Sequence, residues 1–218
     1  MGWIMHFAPH TALATQLLGF LDPEGSDGSH DLTHIHRVWC NALAIAATEP
    51  DADTELLLAA VILHDCVAVE KNSPLRSQAS RLSAERARNL VQPLGWSPAR
   101  VEALAHAIAT HSFSAGLRPE TLEARIMQDA DRLDAIGAIG IARCFYVGGR
   151  MQSGLYSPDD PAAEARPLDD RRFALDHFKA KLFQVVGGFL TPAGKKMAAE
   201  RGRTMQSFVD TFLTEIGA

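Results

Sequence analysis

The run Leu56-Leu57-Leu58-Ala59-Ala60-Val61-Ile62-Leu63-His64-Asp65 decides how this chain folds. Its first eight residues are apolar whichever way a helix is turned, so the segment belongs in the middle of the protein and not on its surface. It then ends, with no polar transition, on an imidazole and a carboxylate. An ionised Asp carried to the end of a buried helix is costly unless something positive meets it. A divalent metal ion answers that need, because His and Asp are both ligands for such ions. The plainer alternative is a helix end emerging into solvent, with His64 as a favourable terminal residue. His-Asp by itself does not choose between them.

Composition narrows the classes. With 218 residues the chain can build one large domain with a substantial core, or two small ones. A hydrophobic content of 47% with 22% charged residues is ordinary for a globular protein. No apolar run reaches the length of a bilayer crossing, so no membrane partner is expected. The start, Met1-Gly2-Trp3-Ile4-Met5-His6-Phe7, lacks the basic region and long apolar core of a signal peptide. His6 also stands where an N-myristoylation motif wants Ser or Thr. Cys40, Cys66 and Cys144 show no paired spacing, which fits free thiols in a reducing cytoplasm. A formal charge of -5 provides no basic field for a nucleic-acid polymer. A small anionic substrate would need local positive charge from a metal or a few arginines and lysines.

Almost every readable segment has helical spacing, and alternating runs long enough for a sheet are missing. The expected helices cover Pro9 to Leu21, with Leu13, Leu17, Leu18 and Leu21 inward, then a start near Ser29–Asp31 running to Ala47, and Thr54 to Asp65. Next come Ser77 to Leu90 and a helix to His111 opened by Ser97-Pro98 as N-cap and first helical residue. Glu120 to Gly148 holds one or two helices. Gly149 to Pro167 shows neither period and reads as a long loop, of the kind that is more often functional than idle. Asp169–Val186 and Thr191–Ile216 close the chain, the second with a Thr-Pro N-cap. The expectation is an all-α, single-domain helical bundle.

Two further places supply partners for His64 and Asp65. In His30-Asp31-Leu32-Thr33-His34-Ile35-His36-Arg37-Val38-Trp39, His34 shares a helix face with Val38 and Ala42 and points inward. His36 lies about two hundred degrees round and faces away. A single inward His is more commonly a hydrogen-bonded core residue than a ligand. In Gln128-Asp129-Ala130-Asp131-Arg132-Leu133-Asp134, three carboxylates in six residues would normally form a solvated face. The residues that follow are almost wholly small and apolar, and Asp131 falls over Ala135 and Ala138, a narrow face that lets a buried neighbour approach. Asp129 lies nearly opposite.

One His, an adjacent His-Asp and a distant Asp give two nitrogen and two oxygen donors, with positions left for water and a phosphate oxygen. This H…HD…D order resembles the HD-domain superfamily of metal-dependent phosphohydrolases. The likeness extends to Thr33-His34-Ile35-His36-Arg37-Val38-Trp39, to Leu63-His64-Asp65 with Lys71-Asn72-Ser73-Pro74, and to Ala107-Ile108-Ala109-Thr110-His111-Ser112-Phe113-Ser114. It takes in Gln128-Asp129-Ala130-Asp131-Arg132-Leu133, Gly137-Ala138-Ile139-Gly140-Ile141-Ala142-Arg143, Pro167-Leu168-Asp169-Asp170 and Asp176-His177-Phe178, and is that of a group of bacterial predicted HD hydrolases. The resemblance implies that His34, His64, Asp65 and Asp131 bind one divalent ion, with Mn, Mg, Co, Ni, Fe and Zn not distinguished. It implies hydrolysis of a phosphate ester or phosphoanhydride of a small molecule, a nucleotide being the favoured class. Asp65 could orient or deprotonate the attacking water.

Other residues divide between roles. Lys71 follows the His-Asp pair within a short loop and is either a phosphate contact or a solvated lysine. Arg37, one turn after His34, reaches the same pocket or pairs with Asp31. Arg132 and Arg143 are equally open. Some relatives add two histidines and a second metal, but His106 and His111 are five apart and do not share a helix face. A single-metal site is favoured, with His111 as a substrate-contact or proton-transfer residue and His177 a weaker case. The loop Gly149–Pro167 could close over substrate, bringing Arg150 and Tyr156. Two other readings compete: a di-iron HD oxygenase, which needs six ligands, and a non-catalytic nucleotide-binding regulatory module, against which all four filled ligand positions count. The oligomeric state is open, a homodimer being compatible with the sequence.

Overall fold

A computed structural model describes residues 3–21, 32–69, 76–112 and 115–218. The described residues hold nine α-helices, and their only strand-like pairing is one isolated bridge, Gly154 with Phe173. The fold is all-α. In chain order the helices are α1 (Thr11–Leu18), α2 (Leu32–Ala46), α3 (Thr54–Leu63), α4 (Ala79–Val91), α5 (Pro98–His111), α6 (Leu122–Asp134), α7 (Gly137–Arg150), α8 (Phe183–Val186) and α9 (Pro192–Glu215). Packing divides into two compact units, residues 1–131 and 132–218.

In the first unit α3 is the central element, as its composition requires. Leu56 to Leu63 are all buried, and α1, α2, α4 and α5 pack around them. Each fully buried Leu or Ile here is worth about 1.5–3 kcal/mol over the exposed state. That total is what carries the polar residue behind them into the interior. The helix starts where Asp53 accepts the Leu56 N–H at 2.9 Å, an N-cap that satisfies one orphan donor. Arg100 of α5 donates to Asp53 and to Glu55 at 3.0 and 2.7 Å, fixing α5 to the same end. Ser97 and Pro98 open α5 as cap and first helical residue. The first helix is shorter than its pattern suggests: a 3-10 segment, Trp3–Phe7, precedes it, and of its expected inward leucines Leu17 is fully covered, beside Ala14.

The second unit begins inside α6. The region expected to hold one or two helices holds two, because α6 stops at Asp134. Gly137 then takes φ +74°, a left-handed conformation that suits glycine. A Cβ on Gly140 would collide with the Ala135 carbonyl oxygen, so the turn between α6 and α7 closes only on a residue without one. This break corrects the expectation that Asp131, Ala135 and Ala138 form one face, since Ala138 belongs to the next helix. Arg201 of α9 donates to the Leu133 carbonyl, and Arg143 of α7 pairs with Asp134 at 2.7 Å. The core here is aromatic. Phe178 stacks on Phe208 with centroids 5.8 Å apart, and Phe145 stacks on Phe212 at 6.2 Å.

The helix expected over Asp169–Val186 forms only in its second half, as a π-helical turn, Phe178–Leu182, continuing into α8. Two backbone donors of the first half are engaged elsewhere. Ala174 and Leu175 donate to the Gly154 and Leu155 carbonyls, each at 2.9 Å. Asp176 is buried and accepts both arms of Arg166, at 2.6 and 2.7 Å, together with the Asp169 N–H at 2.7 Å. Asp160 accepts the N–H groups of Glu164, Ala165 and Arg166. The long segment before α8 is thus tied internally by two carboxylates. Tyr156 packs edge-on against Phe212, at 5.7 Å, and Arg150 lies over Tyr146.

Burial pushes the Asp176 carboxyl up, but Arg166 and the Asp169 N–H outweigh it and hold the group below its ordinary value of 3.8. A depressed pKa means that the stabilisation is complete above the unfolded value, near pH 4, and is lost as pH falls through the folded one. Arg166→Ala is therefore expected to lower Tm more at pH 7 than at pH 3, by thermal unfolding followed at both. An equal loss at the two pH values would contradict this assignment.

Candidate metal centre

Three helix ends and one helix interior bring the site together, all in the first unit. His34 lies in the first turn of α2, on the buried face shared by Val38, Asn41 and Ala42. His64 is the residue after α3 and is 1% exposed. Their Nε2 atoms face each other at 3.2 Å. Asp131 of α6 places Oδ1 3.6 Å from His34 Nε2 and 3.9 Å from His64 Nε2. Asp65, in the turn beyond α3, places Oδ2 3.6 Å from His64 Nε2 and Oδ1 3.7 Å from the Nε2 of His111, the last residue of α5. The His64 and His111 rings meet edge to face at 4.9 Å.

The protonation pattern follows from the backbone. His64 Nδ1 is 2.7 Å from the Val61 carbonyl oxygen and His111 Nδ1 is 2.6 Å from that of Ile108. A carbonyl only accepts, so both Nδ1 atoms carry a proton, and in the neutral form of each ring Nε2 is a bare lone pair aimed into the cluster. Burial, and then the neighbouring His64 ring, hold His111 below the ordinary histidine range. The imidazoles are buried while the side chains of Asp131 and Asp65 keep 27% and 34% exposure, so the cluster is reached from its carboxylate side.

Donors about 2.1 Å from a common ion, set at octahedral or tetrahedral angles, stand roughly 3.0–3.4 Å apart. The spacing within His34, His64 and Asp131 lies at and just above that range, and two imidazoles with a carboxylate are a set that divalent transition ions accept. In a second group, His64, Asp65 and His111, the donor atoms lie within 4.8 Å of one another, and it shares His64 with the first. The residues present fit a bound divalent ion.

Two buried amides hold α6 in register. Asn41 Nδ2 donates to the Ala130 carbonyl at 3.0 Å, tying α6 to α2 one residue from Asp131. Gln128 Nε2 donates to the Thr110 carbonyl at 2.7 Å, one of the orphan acceptors at the end of α5, next to His111. Ser80 donates to another, Ala109, at 2.9 Å. Sequence reasoning passed over both amides. Their signal was positional: Asn41 is seven residues after His34, and Gln128 three before Asp131, each on an otherwise apolar face. It also missed that Asp129 and Asp134 are buried, at 0% and 1% exposure.

The remaining expected residues are dispersed. Arg37 is half-buried and donates to Thr33 one turn back, at 2.9 Å; its alternative partner Asp31 and also Lys71 lie outside the described residues. Arg143 sits in the second unit, on Asp134. His36 turns away from the site and packs edge-on against His6, at 4.7 Å. His106 accepts the Glu120 N–H at 3.0 Å, apart from the cluster, whereas His111 joins it. His177 pairs with Asp170 at 2.9 Å in the second unit. Burial pushes the Cys66 thiol up to about 11, which removes it as a nucleophile at neutral pH.

Residues 31–136 match the HD domain family. Bacillus subtilis YpgQ is 29% identical over 201 residues, covering 90% of this chain and 88% of that protein. A crystal structure of YpgQ in complex with ADP aligns over the whole of both chains, with a TM-score of 0.70 and 27% identity. An HD-superfamily hydrolase from Bacillus thuringiensis aligns over 95% of this chain and 97% of its own, with a TM-score of 0.72 and 29% identity. With its matched segment containing every residue of the histidine–aspartate cluster, the chain belongs to the HD-domain superfamily.

Proposed function

We propose that this protein is a metal-dependent phosphohydrolase that cleaves a phosphate ester or phosphoanhydride of a small molecule, a nucleotide, with His34, His64, Asp65 and Asp131 holding one divalent ion. The observation that carries the reading is the convergence of two imidazole Nε2 atoms and a carboxylate from three separate helices, 3.2–3.9 Å apart. The nucleotide is favoured because a relative alignable over the whole chain has been crystallised with ADP. Among the described residues no helix is long and apolar enough to cross a membrane, and the acidic chain offers no field for a nucleic-acid polymer.

A single ion is favoured by the chemistry of His64. Both candidate groups require its Nε2, which has one lone pair, because the other ring nitrogen is protonated and bonded to Val61. His106, which a two-ion site would recruit, is held by the Glu120 N–H. When bound, the ion lowers the pKa of a coordinated water and polarises the phosphoryl oxygen. Asp65 divides its two oxygens between His64 and His111, so one can face the ion while the other orients the attacking water and takes its proton. His111, buried and neutral with its lone pair toward Asp65, is placed to share that proton. The exposed edges of Asp65 and Asp131 mark the side on which the phosphate enters.

Chelation is expected to abolish phosphatase activity on a panel of nucleotides and sugar phosphates, and Mn, Mg, Co or Ni to restore it. Asp65→Ala should lower kcat by about 10²–10⁴-fold, and stripped protein or Asp65→Ala that retains full activity would overturn the reading. Asn41→Ala, which leaves the Ala130 carbonyl without its clamp, should cost about 1–3 kcal/mol in urea unfolding and weaken Mn binding measured by calorimetry. Unchanged Mn affinity would show that the amide holds the helix without holding Asp131.

A further inference from the structure

Resting on the metal site just proposed, we infer that Ser83 and Arg86 of α4 are positioning residues for Asp65, setting the carboxylate from a helix that carries no ligand.

The need for such residues comes from where Asp65 stands. The helix α3 ends at Leu63, so Asp65 lies in the turn beyond it. His64 is fixed by burial and by Val61, whereas the Asp65 side chain keeps a third of its surface exposed. A backbone rotation of about 20° would carry its carboxylate oxygens about 1 Å, a misplacement that costs on the order of 100-fold in a positioned reaction.

What restrains that rotation is a set of hydrogen bonds on the next two residues. The Ser83 hydroxyl accepts the Val67 N–H at 3.2 Å, and the Ser83 carbonyl accepts the Cys66 thiol at 3.6 Å. Arg86 Nη1 donates to the Cys66 carbonyl at 2.9 Å. Within the turn, the Cys66 N–H donates back to the Leu63 carbonyl at 3.1 Å. Both backbone groups of Cys66 and the N–H of Val67 are therefore engaged, and the chain leaves Asp65 in one direction. Ser83 and Arg86 are three residues apart and present one helix face to this turn. Ser83 is completely buried, so its hydroxyl is unavailable to solvent. Arg86 has a second arm, Nη2, on the Phe20 carbonyl at 3.3 Å, just past α1. One planar fork thus joins the turn after Asp65 to the turn after α1, a geometry that lysine cannot reproduce.

A purely structural role for these residues would stabilise the turn without distinguishing Asp65. A mutant cycle on the full chain separates the two, read by calorimetric titration with Mn²⁺ alone. Arg86→Ala and Ser83→Ala are each expected to weaken Mn²⁺ binding about 10-fold, the range seen when residues supporting a metal ligand are removed. Arg86→Lys should recover part of the loss. In an Asp65→Asn background the same substitutions should leave the Mn²⁺ dissociation constant within about twofold, because the carboxylate through which they act is gone. Should Ser83→Ala fail to fold, Arg86→Ala, at an exposed position, carries the cycle. Wild-type protein that takes up no Mn²⁺ overturns the metal reading and this inference together. Wild-type protein that binds Mn²⁺ overturns the inference alone if the Arg86 variant binds equally well, or if its loss is undiminished in Asp65→Asn.

Discussion

The hydrogen bond from His64 Nδ1 to the Val61 carbonyl, 2.7 Å long, fixes the chemistry of everything around it. It exists because α3 is buried on all sides and ends abruptly, leaving at its last turn a carbonyl that the imidazole behind it can reach. The bond assigns the ring proton to Nδ1 and turns a bare Nε2 toward His34, Asp131 and Asp65. Without it the ring could take the other tautomer and offer an N–H where the cluster needs a lone pair. His111 repeats the device at the end of α5 with the Ile108 carbonyl. Two helix C-termini in one unit thus present their terminal histidines with Nδ1 as the donor to a carbonyl, and the edge-to-face contact of the rings brings them to one place.

The carboxylates are held differently, which suits what is asked of them. Asp131 stands on a continuous helix clamped by Asn41 and Gln128, whose amides engage carbonyls of α6 and α5. Buried amide–carbonyl bonds of this kind are costly to leave unmade, so they specify register as well as adding stability. Asp65 stands in a turn and is directed through its neighbours Cys66 and Val67. One carboxylate set by its own helix and one set through its neighbours accord with the proposal that the first holds an ion and the second also handles a proton.

In the second unit carboxylates serve the fold instead. Asp176, Asp160 and Asp134 are bound by Arg166, by three successive N–H groups and by Arg143. Asp176, which is buried, and Asp160, which is partly exposed, here replace regular secondary structure as the means of ordering a long segment, and the aromatic cluster of Phe145, Phe178, Phe208 and Phe212 supplies the apolar area. Arg143, one of the arginines that sequence reasoning offered to substrate, pairs with the buried Asp134.

By itself the sequence determined the all-α class, the central place of α3, the caps at Ser97 and Thr191, and the order in which His34, His64, Asp65 and Asp131 occur. These are legible because helical periodicity, capping and total apolarity act within a few turns of chain. Local pattern also separated His36 from His34 and His111 from His106, since position on a helix face follows from spacing alone. Tertiary structure decided the rest. Whether an acidic residue is solvated or buried depends on which distant arginine or backbone donor meets it, as Asp134 and Asp176 show. Whether Asp169–Ala174 coils into a helix depends on Gly154 and Leu155 competing for its backbone partners. The clamps from Asn41 and Gln128 depend on contacts between segments far apart in the chain, whose energies no local window contains.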